Sequence, residues 1–357
     1  MNRILYIFIT LSFLLSVVSC DQKDELSSSV QKNERLISFT TENVWDGMTK
    51  TVIDEVEDMK AAGGFRVWST WNPDSAGEGV YYYDDVVFGT SGTLVSSEGP
   101  GSPWVCQEEK EWVTGYYNFA AVFPYGLAED GTHTSFFNKS LNEDHTILEY
   151  SNMITLDLGD DGLTLATTKE DKANQVDLMY AFSNEDNSRD QASSVNLSFN
   201  HAFTLLDIRL VTADKTSFAS NLISVTKVKL YGIHDTIYGQ LKLAQEYKDE
   251  TERLSSNIKE LLAEASVSTS WNPYYSADYS PMSGFNYSQN TLSIVDDLLV
   301  FPESLSKTTS LKILVELHNM RTGVKKEIFA QVVEGDWISG SHKVYELPLD
   351  PSVFESE

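Results

Sequence analysis

Apolar and polar residues alternate one by one along much of this chain, and this period of two restricts its possible folds more than any other feature. In the segment LISFTTE, residues 36–42, the side chains of Ile37, Phe39 and Thr41 alternate with serine and threonine. Successive side chains of an extended strand point to opposite faces of a sheet, so one set is buried while the other contacts water. The segment is therefore predicted to be a half-buried β-strand.

Segments of the same kind recur along the chain, separated by Gly, Asp, Asn and Pro, the residues that favour turns. A first series comprises residues 63–71, 79–89, 116–126, 152–159 and 163–169, and a second comprises 194–213, 223–233, 292–302, 310–319, 325–333 and 342–349. The polar stretch SNEDNSRDQAS, residues 183–193, lies between the two series. A chain of 357 residues also exceeds the usual size of a single core. We predict an all-β fold with two domains, residues 36–189 and 190–357.

One segment departs from the alternation. Residues 241–266, LKLAQEYKDETERLSSNIKELLAEAS, are rich in Glu, Lys and Leu, which have high helix propensity. Its apolar residues recur at roughly helical spacing: Tyr247, Leu254, Ile258, Leu261 and Leu262. The segment predicts one surface helix inserted between strands.

The first twenty residues, MNRILYIFITLSFLLSVVSC, combine a basic start with an apolar run that stops just before Cys20. A run of this length and position has the shape of a signal-peptide core and is too short for a membrane span. Because a small serine precedes the cysteine, the segment resembles a bacterial lipoprotein signal, which predicts a signal peptide at residues 1–19 and acylation of Cys20. Two or three acyl chains, palmitate among them, hold a protein firmly on a membrane. The alternative is an ordinary secretory signal with an incidental cysteine.

The residues that follow the signal are polar. Residues 20–35 are rich in Ser, Asp, Glu and Lys, a composition that predicts a flexible tether. Within them DQKDE, residues 21–25, resembles the surface-export signal of Bacteroidetes lipoproteins. We therefore expect a lipid-anchored protein of the outer membrane that is displayed on the cell surface.

Charge and missing motifs exclude several functions. The chain carries 53 Asp and Glu against 26 Lys and Arg, a net charge of -27, which repels nucleic acid. Its two cysteines, Cys20 and Cys106, form no Cys-x-x-Cys spacing and its six histidines are scattered, so we predict neither a metal site nor a cofactor. The Gly-x-Ser-x-Gly, P-loop, dinucleotide and His-Glu-x-x-His motifs are absent as well. We predict that the chain is not an enzyme.

Four tryptophans offer two interpretations. Trp68, Trp71, Trp104 and Trp112 could form an exposed platform on which sugars stack, which would make the chain a glycan-binding lipoprotein of the outer-membrane surface. The favoured alternative is that those at alternating strand positions fill the core, because aromatic residues favour strands and dominate cores. Trp71 and Trp104 border turn-rich segments and are predicted to be the most exposed of the four.

Several segments together resemble the fimbrillin family, the lipoprotein-derived pilins and pilus accessory subunits of Bacteroidetes. The segments that carry the resemblance are the signal ending at Cys20, ISFTTE, FRVWSTW, YYNFAAVFPYG, VDLMYAFS, VNLSFNHAFTLLDIRL, VTKVKLYGI and DLLVFPESL. The resemblance implies two tandem transthyretin-like β-sandwich domains with the boundary just before SFNHAF. It also implies a structural or accessory subunit of a fimbrium, located at the tip or anchor, with a role in adhesion.

The resemblance further implies assembly by strand exchange with other pilus subunits. Polymerising members of the family lose their first strand to a trypsin-like protease, which cuts at a basic residue in the loop after that strand. The matching residue is Lys50, so the new N-terminus would be Thr51. Lysine replaces the arginine usual in the family, and the chain ends soon after its last predicted strand. These departures favour a tip, anchor or accessory subunit, or an adhesin that binds a host protein or glycan.

Overall fold

The structure is a computed structural model that describes residues 36–43, 56–72, 85–88, 92–125, 134–141, 147–157, 163–165, 175, 177–187, 194–212, 223–234, 236–247, 257–266, 275–278, 285–286, 291–305 and 310–349. Across these ranges the chain forms 23 β-strands and one short α-helix. The prediction of an all-β fold is confirmed.

In chain order the elements are β1 (Phe39–Asn43), α1 (Val56–Ala61), β2 (Phe65–Asn72), β3 (Asp85–Val86), β4 (Thr93–Ser96), β5 (Val105–Cys106), β6 (Tyr116–Phe123), β7 (Thr134–Leu141), β8 (Ile147–Asp157), β9 (Leu163–Thr164), β10 (Met179–Asp186), β11 (Val195–His201), β12 (Thr204–Val211), β13 (Ile223–Tyr231), β14 (Thr236–Tyr247), β15 (Asn257–Ser266), β16 (Tyr275–Asp278), β17 (Phe285–Asn286), β18 (Thr291–Val300), β19 (Ser304–Leu305), β20 (Leu311–Asn319), β21 (Val324–Val332), β22 (Gly335–Asp336) and β23 (His342–Pro348).

The first sheet contains eight strands in the order β1-β11-β10-β6-β2-β4-β5, with β3 paired to β2. Strand β1 lies at one edge and runs parallel to β11, with Phe39 opposite Val195 and Asn43 opposite Phe199. The central strands β11, β10, β6 and β2 pair antiparallel to one another. The first strand of the described chain is thus attached to a sheet formed mostly by later segments.

Alternation along the central strands gives this sheet two apolar faces. One face carries Phe65 and Phe119 and shares a core with Phe39 of β1. The opposite face carries Trp68 and Tyr180, which belong to a larger core that includes side chains of the other sheets. The central strands are therefore covered on both sides, while β1 contributes to one core alone.

The segment predicted as a surface helix, residues 241–266, is strand over its described parts. Strands β14 and β15 pair antiparallel within a second sheet of order β15-β14-β8-β7, in which β9 also pairs with β14. Ile237, Leu241 and Leu243 of β14 are buried in the larger core. Burial of these alternating side chains outweighs the helix propensity of the surrounding Glu, Lys and Leu. The prediction of an inserted helix is therefore wrong.

Three further sheets complete the described chain. Their orders are β17-β18-β12-β23, β16-β13-β20-β21 and β19-β22. Strand β20 alternates strictly between buried and half-buried side chains, with Leu311, Ile313, Val315 and Leu317 inside the larger core. Strand β23 runs parallel to β12, with Leu205 opposite His342.

The chain leaves the first sheet between β11 and β12. Strand β11 ends at His201 in the first sheet, and β12 begins at Thr204 in a different one. Strand β14 pairs with β8, Leu241 lying opposite Leu156, so one sheet joins strands from before and after residue 190. The domain limits at residues 189 and 190 stay a prediction. Within the described residues, no helix is long and apolar enough to cross a membrane.

Candidate functional site

The edge strand β1 and the residues just before it lie in a groove of the first sheet. Ile37 and Phe39 are 3% and 5% exposed, while Ser38 and Thr40 are exposed, as the alternation predicted. The Val195 amide donates a hydrogen bond to the Ser38 carbonyl at 2.8 Å, and the Ile37 amide donates to the Lys110 carbonyl at 2.8 Å. Main-chain contacts thus hold the segment from β11 on one side and from the 110–111 segment on the other.

The Phe39 ring is the central apolar contact of this segment. It lies edge-on to Phe65 and Phe119, with ring centroids 6.3 and 5.8 Å away, and is tilted against Phe88 at 6.4 Å. Edge-to-face pairs at such distances are favourable because the positive ring edge meets the negative ring face. Three aromatic residues from later in the chain therefore form the pocket for one side chain of β1.

Trp104 makes the polar contact of the groove. Its indole Nε1–H donates a hydrogen bond of 3.0 Å to Thr41 Oγ1. Its ring lies edge-on to Phe65 with centroids 4.8 Å apart, and Lys60 Nζ lies 5.7 Å from the ring centroid. The indole is thus fixed by an apolar contact and by a cation, and its N–H faces β1.

Two side chains of helix α1, Lys60 and Glu57, link Trp104 to the neighbouring turn that contains Gly101. Lys60 Nζ donates to Glu57 Oε1 at 3.0 Å, and the Gly101 amide donates to Glu57 Oε2 at 2.8 Å. The hydrogen bonds from Lys60 and from the Gly101 amide lower the pKa of the Glu57 carboxyl below its ordinary value. Glu57 therefore positions Lys60, and with it the side of the groove that contains Trp104.

We name the groove that binds β1 the strand groove. It is formed by Phe65, Phe88, Phe119, Trp104 and strand β11. Every one of these parts follows Lys50 in the chain. A break in the chain at Lys50 would leave the strand groove intact on the downstream part.

The predicted site residues Cys20, Lys50 and Thr51 lie outside the described residues. The structure describes the flanks of the predicted cleavage segment, Asn43 at the end of β1 and Val56 at the start of α1. Acylation at Cys20 and cleavage after Lys50 stay predictions.

The four tryptophans contribute to cores. Trp68 and Trp112 are 4% and 7% exposed. Trp71 and Trp104 are half-buried and pack against the core that contains Phe39. They are the most exposed of the four, as predicted, but neither is fully exposed. Sequence reasoning missed the contact of Trp104 with β1, because its partner Thr41 lies 63 residues earlier in the chain.

Two acid–histidine pairs, one of them fully buried, form a second polar feature. His201 Nδ1 lies 2.9 Å from Asp177 Oδ1 with both side chains fully buried, and His342 Nε2 lies 3.2 Å from Asp207 Oδ2. Across the residues that the structure describes, no group of three or more His, Cys, Asp or Glu side chains could hold a metal ion. Cys106, which does lie within them, is a free, half-buried thiol whose pKa is raised by burial.

The fold and the strand groove define a class of protein: an all-β chain whose first described strand lies in an edge groove formed by residues that follow it. The chain belongs to the fimbrillin-like family, whose profile matches residues 49–354. The resemblance predicted from the sequence is confirmed.

Several solved structures that this chain resembles come from the genus Bacteroides. A fimbrial protein of Bacteroides vulgatus is 15% identical with a TM-score of 0.45, covering 88% of this chain and 95% of its own. A candidate cell adhesion protein of Bacteroides uniformis is 12% identical with a TM-score of 0.38, covering 88% and 93%. A third, from Bacteroides fragilis, is 10% identical with a TM-score of 0.36, covering 88% and 92%. No curated protein matches the chain.

Proposed function

We propose that this chain is a cell-surface subunit of a fimbrium, assembled by strand exchange at the strand groove, with a non-enzymatic role in adhesion. One observation carries the proposal. Among the described strands, β1 pairs with β11 alone, yet Ile37 beside it and Phe39 within it are almost fully buried. A short edge strand that is deeply inserted is a part that a strand from another subunit can replace.

Removing the segment would leave the first sheet with an incomplete core. Burial of an isoleucine and a phenylalanine side chain stabilises a fold by about 1.5–3 kcal/mol each. Without the segment, the aromatic pocket of Phe39 and the backbone groups of β11 would face water. An open apolar groove beside an unpaired edge is a template for a further strand.

Cleavage after Lys50 would start the exchange. The residue lies in the segment between Asn43 and Val56, so a cut there separates β1 from α1 and from the rest of the strand groove. The cut would also release the downstream chain from a lipid anchor at Cys20 and from the tether at residues 20–35. Because the basic residue is a lysine, we propose a protease that accepts lysine.

A subunit that keeps its first strand would instead stay attached to the outer membrane through Cys20 and would receive no donor. That alternative corresponds to an anchor or accessory subunit.

N-terminal sequencing of the protein from the cell surface, combined with denaturing gels of unheated samples, distinguishes strand exchange from this alternative. Thr51 at the N-terminus with high-mass ladders supports exchange, and both should disappear in a Lys50→Ala variant, with Lys325→Ala, an exposed lysine of β21, as a control of the same residue type. An intact, lipid-blocked Cys20 in all surface molecules, without ladders, would remove the exchange proposal.

A further inference from the structure

Three successive inward side chains of residues 37–41, the segment that leads into β1 and includes its first residues, are bound in three chemically different ways. Ile37 is buried among apolar residues, Phe39 is surrounded by aromatic rings, and Thr41 accepts a hydrogen bond. The outward side chains Ser38 and Thr40 are exposed. The strand groove therefore contacts alternate positions of the strand, and each contacted position has its own requirement.

The requirement at the third position comes from the indole of Trp104. An indole N–H is a donor only, so it needs an acceptor opposite it. The ring is half-buried and fixed between Phe65 and Lys60, and Lys60 is held in turn by Glu57. An apolar side chain at the position of Thr41 would therefore cover the N–H without pairing it, and an unpaired buried donor is unfavourable.

The requirement at the second position comes from ring geometry. Phe65, Phe88 and Phe119 surround the Phe39 ring with centroids between 5.8 and 6.4 Å away. A branched aliphatic side chain at this position would contact the same rings with fewer atoms and without the edge-to-face arrangement. The pocket thus favours an aromatic residue.

We infer that the strand groove selects its incoming strand by a pattern of alternate residues: apolar, then aromatic, then serine or threonine, with the two positions between them exposed to solvent. The partner is an extended segment of another subunit that carries this pattern, and Trp104 is the residue that selects the hydroxyl. The inference rests on the proposed strand exchange. All the selecting residues follow Lys50, so a processed subunit keeps its selectivity.

The experiment uses the full chain with residues 48–51 replaced by the site of a sequence-specific protease. After cleavage the two parts stay together, and labelled peptides of residues 36–43 compete with the resident strand. Uptake is measured by native mass spectrometry at equal peptide concentration. The peptides are the natural sequence, Thr41→Val, Thr41→Ser and, as a matched control on the exposed side, Ser38→Ala.

We expect the Thr41→Val peptide to be taken up on the order of fivefold less than the natural peptide, the effect of one net hydrogen bond. The Ser38→Ala peptide should match the natural one, and the Thr41→Ser peptide should recover most of the loss. In a Trp104→Phe chain the natural and Thr41→Val peptides should be taken up equally. If the Trp104→Phe chain fails to fold, the comparison of the Thr41→Val and Thr41→Ser peptides on the unchanged chain still tests the selection of a hydroxyl.

Two negative results have different meanings. Equal uptake of the natural, Val and Ser peptides by the unchanged chain would overturn the selection by Trp104 and leave strand exchange standing. Uptake of none of them, with the resident strand still bound under a large excess of peptide, would overturn strand exchange itself.

Discussion

Replacing Phe39 with alanine in the uncleaved chain measures how strongly β1 is held. The side chain is 5% exposed and lies against three aromatic rings. Substituting a buried phenylalanine by alanine costs about 3–5 kcal/mol, and we expect about 3 kcal/mol here because an edge strand can relax into part of the cavity. This loss lowers the free energy required to detach β1 from the sheet, because the remaining strands keep their pairing.

Hydrogen exchange at the Val195 amide reports this detachment, because that N–H donates to the Ser38 carbonyl. A loss of about 3 kcal/mol corresponds to a rise of roughly 100-fold in the opening constant, at about 1.4 kcal/mol per tenfold change. We expect Val195 to exchange faster by about that factor when reclosing is faster than chemical exchange.

Two control substitutions separate local from global effects. Ser38→Ala changes an exposed side chain of the same segment and should leave Val195 exchange within about twofold, a surface-sized effect. Phe203→Ala removes a fully buried ring from the larger core, where Phe301 lies 5.3 Å away, and should lower the free energy of global unfolding. If Phe39→Ala changed Val195 exchange no more than Ser38→Ala does, Phe39 would not hold β1 and the reasoning on the groove would be refuted.

Three further predictions concern the surroundings of the groove and the second sheet. Trp104→Phe should raise Val195 exchange by about fivefold through loss of one hydrogen bond, and an unchanged rate would contradict the contact with β1. The folded-state pKa of Glu57 is lowered, so its stabilising effect is present above its ordinary value of 4.5 and lost as the pH falls through the lowered value. Glu57→Gln should therefore lower the Tm at pH 7, and the difference should vanish at more acid pH; a difference that persisted there would contradict this. Leu243→Ala should lower the free energy of unfolding in urea by about 2–4 kcal/mol, and a change below about 0.5 kcal/mol would contradict its burial in β14.

The sequence predicts local strand structure well where alternation is strict. The burial of Ile37 and Phe39 followed directly from the period of two, because side-chain direction in a strand depends on the residue's own position alone. The same rule applied to LKL at residues 241–243 would have placed Leu241 and Leu243 on one face. Helix propensity favours a helix over this segment, but the tertiary burial of those leucines outweighs that propensity.

Pairing between distant segments could not be predicted from the sequence. Thr40 and Val195, which meet across the β1–β11 pair, are 155 residues apart. Nothing in the local pattern of either strand specifies the other, since strand pairing depends on complementary burial and on topology. The role of Trp104 could not be predicted for the same reason. In the sequence it is an aromatic residue beside a turn-rich segment, and only the fold brings Thr41 close to its indole N–H.

Strand β1 and the residues of the strand groove lie on opposite sides of Lys50 in the sequence, and this affects how exchange would proceed after cleavage. The contacts of Phe39, Thr41 and the Ser38 carbonyl that the structure describes are all made with residues after Val56, so a cut before Val56 removes none of these contacts. What cleavage removes is the tether that returns a detached strand to its groove, that is, its effective concentration. A detached strand then competes on equal terms with any donor present. Under the proposed exchange, selection by Trp104 and the aromatic pocket would act at this stage, because the strand that makes all three contacts would stay bound longest.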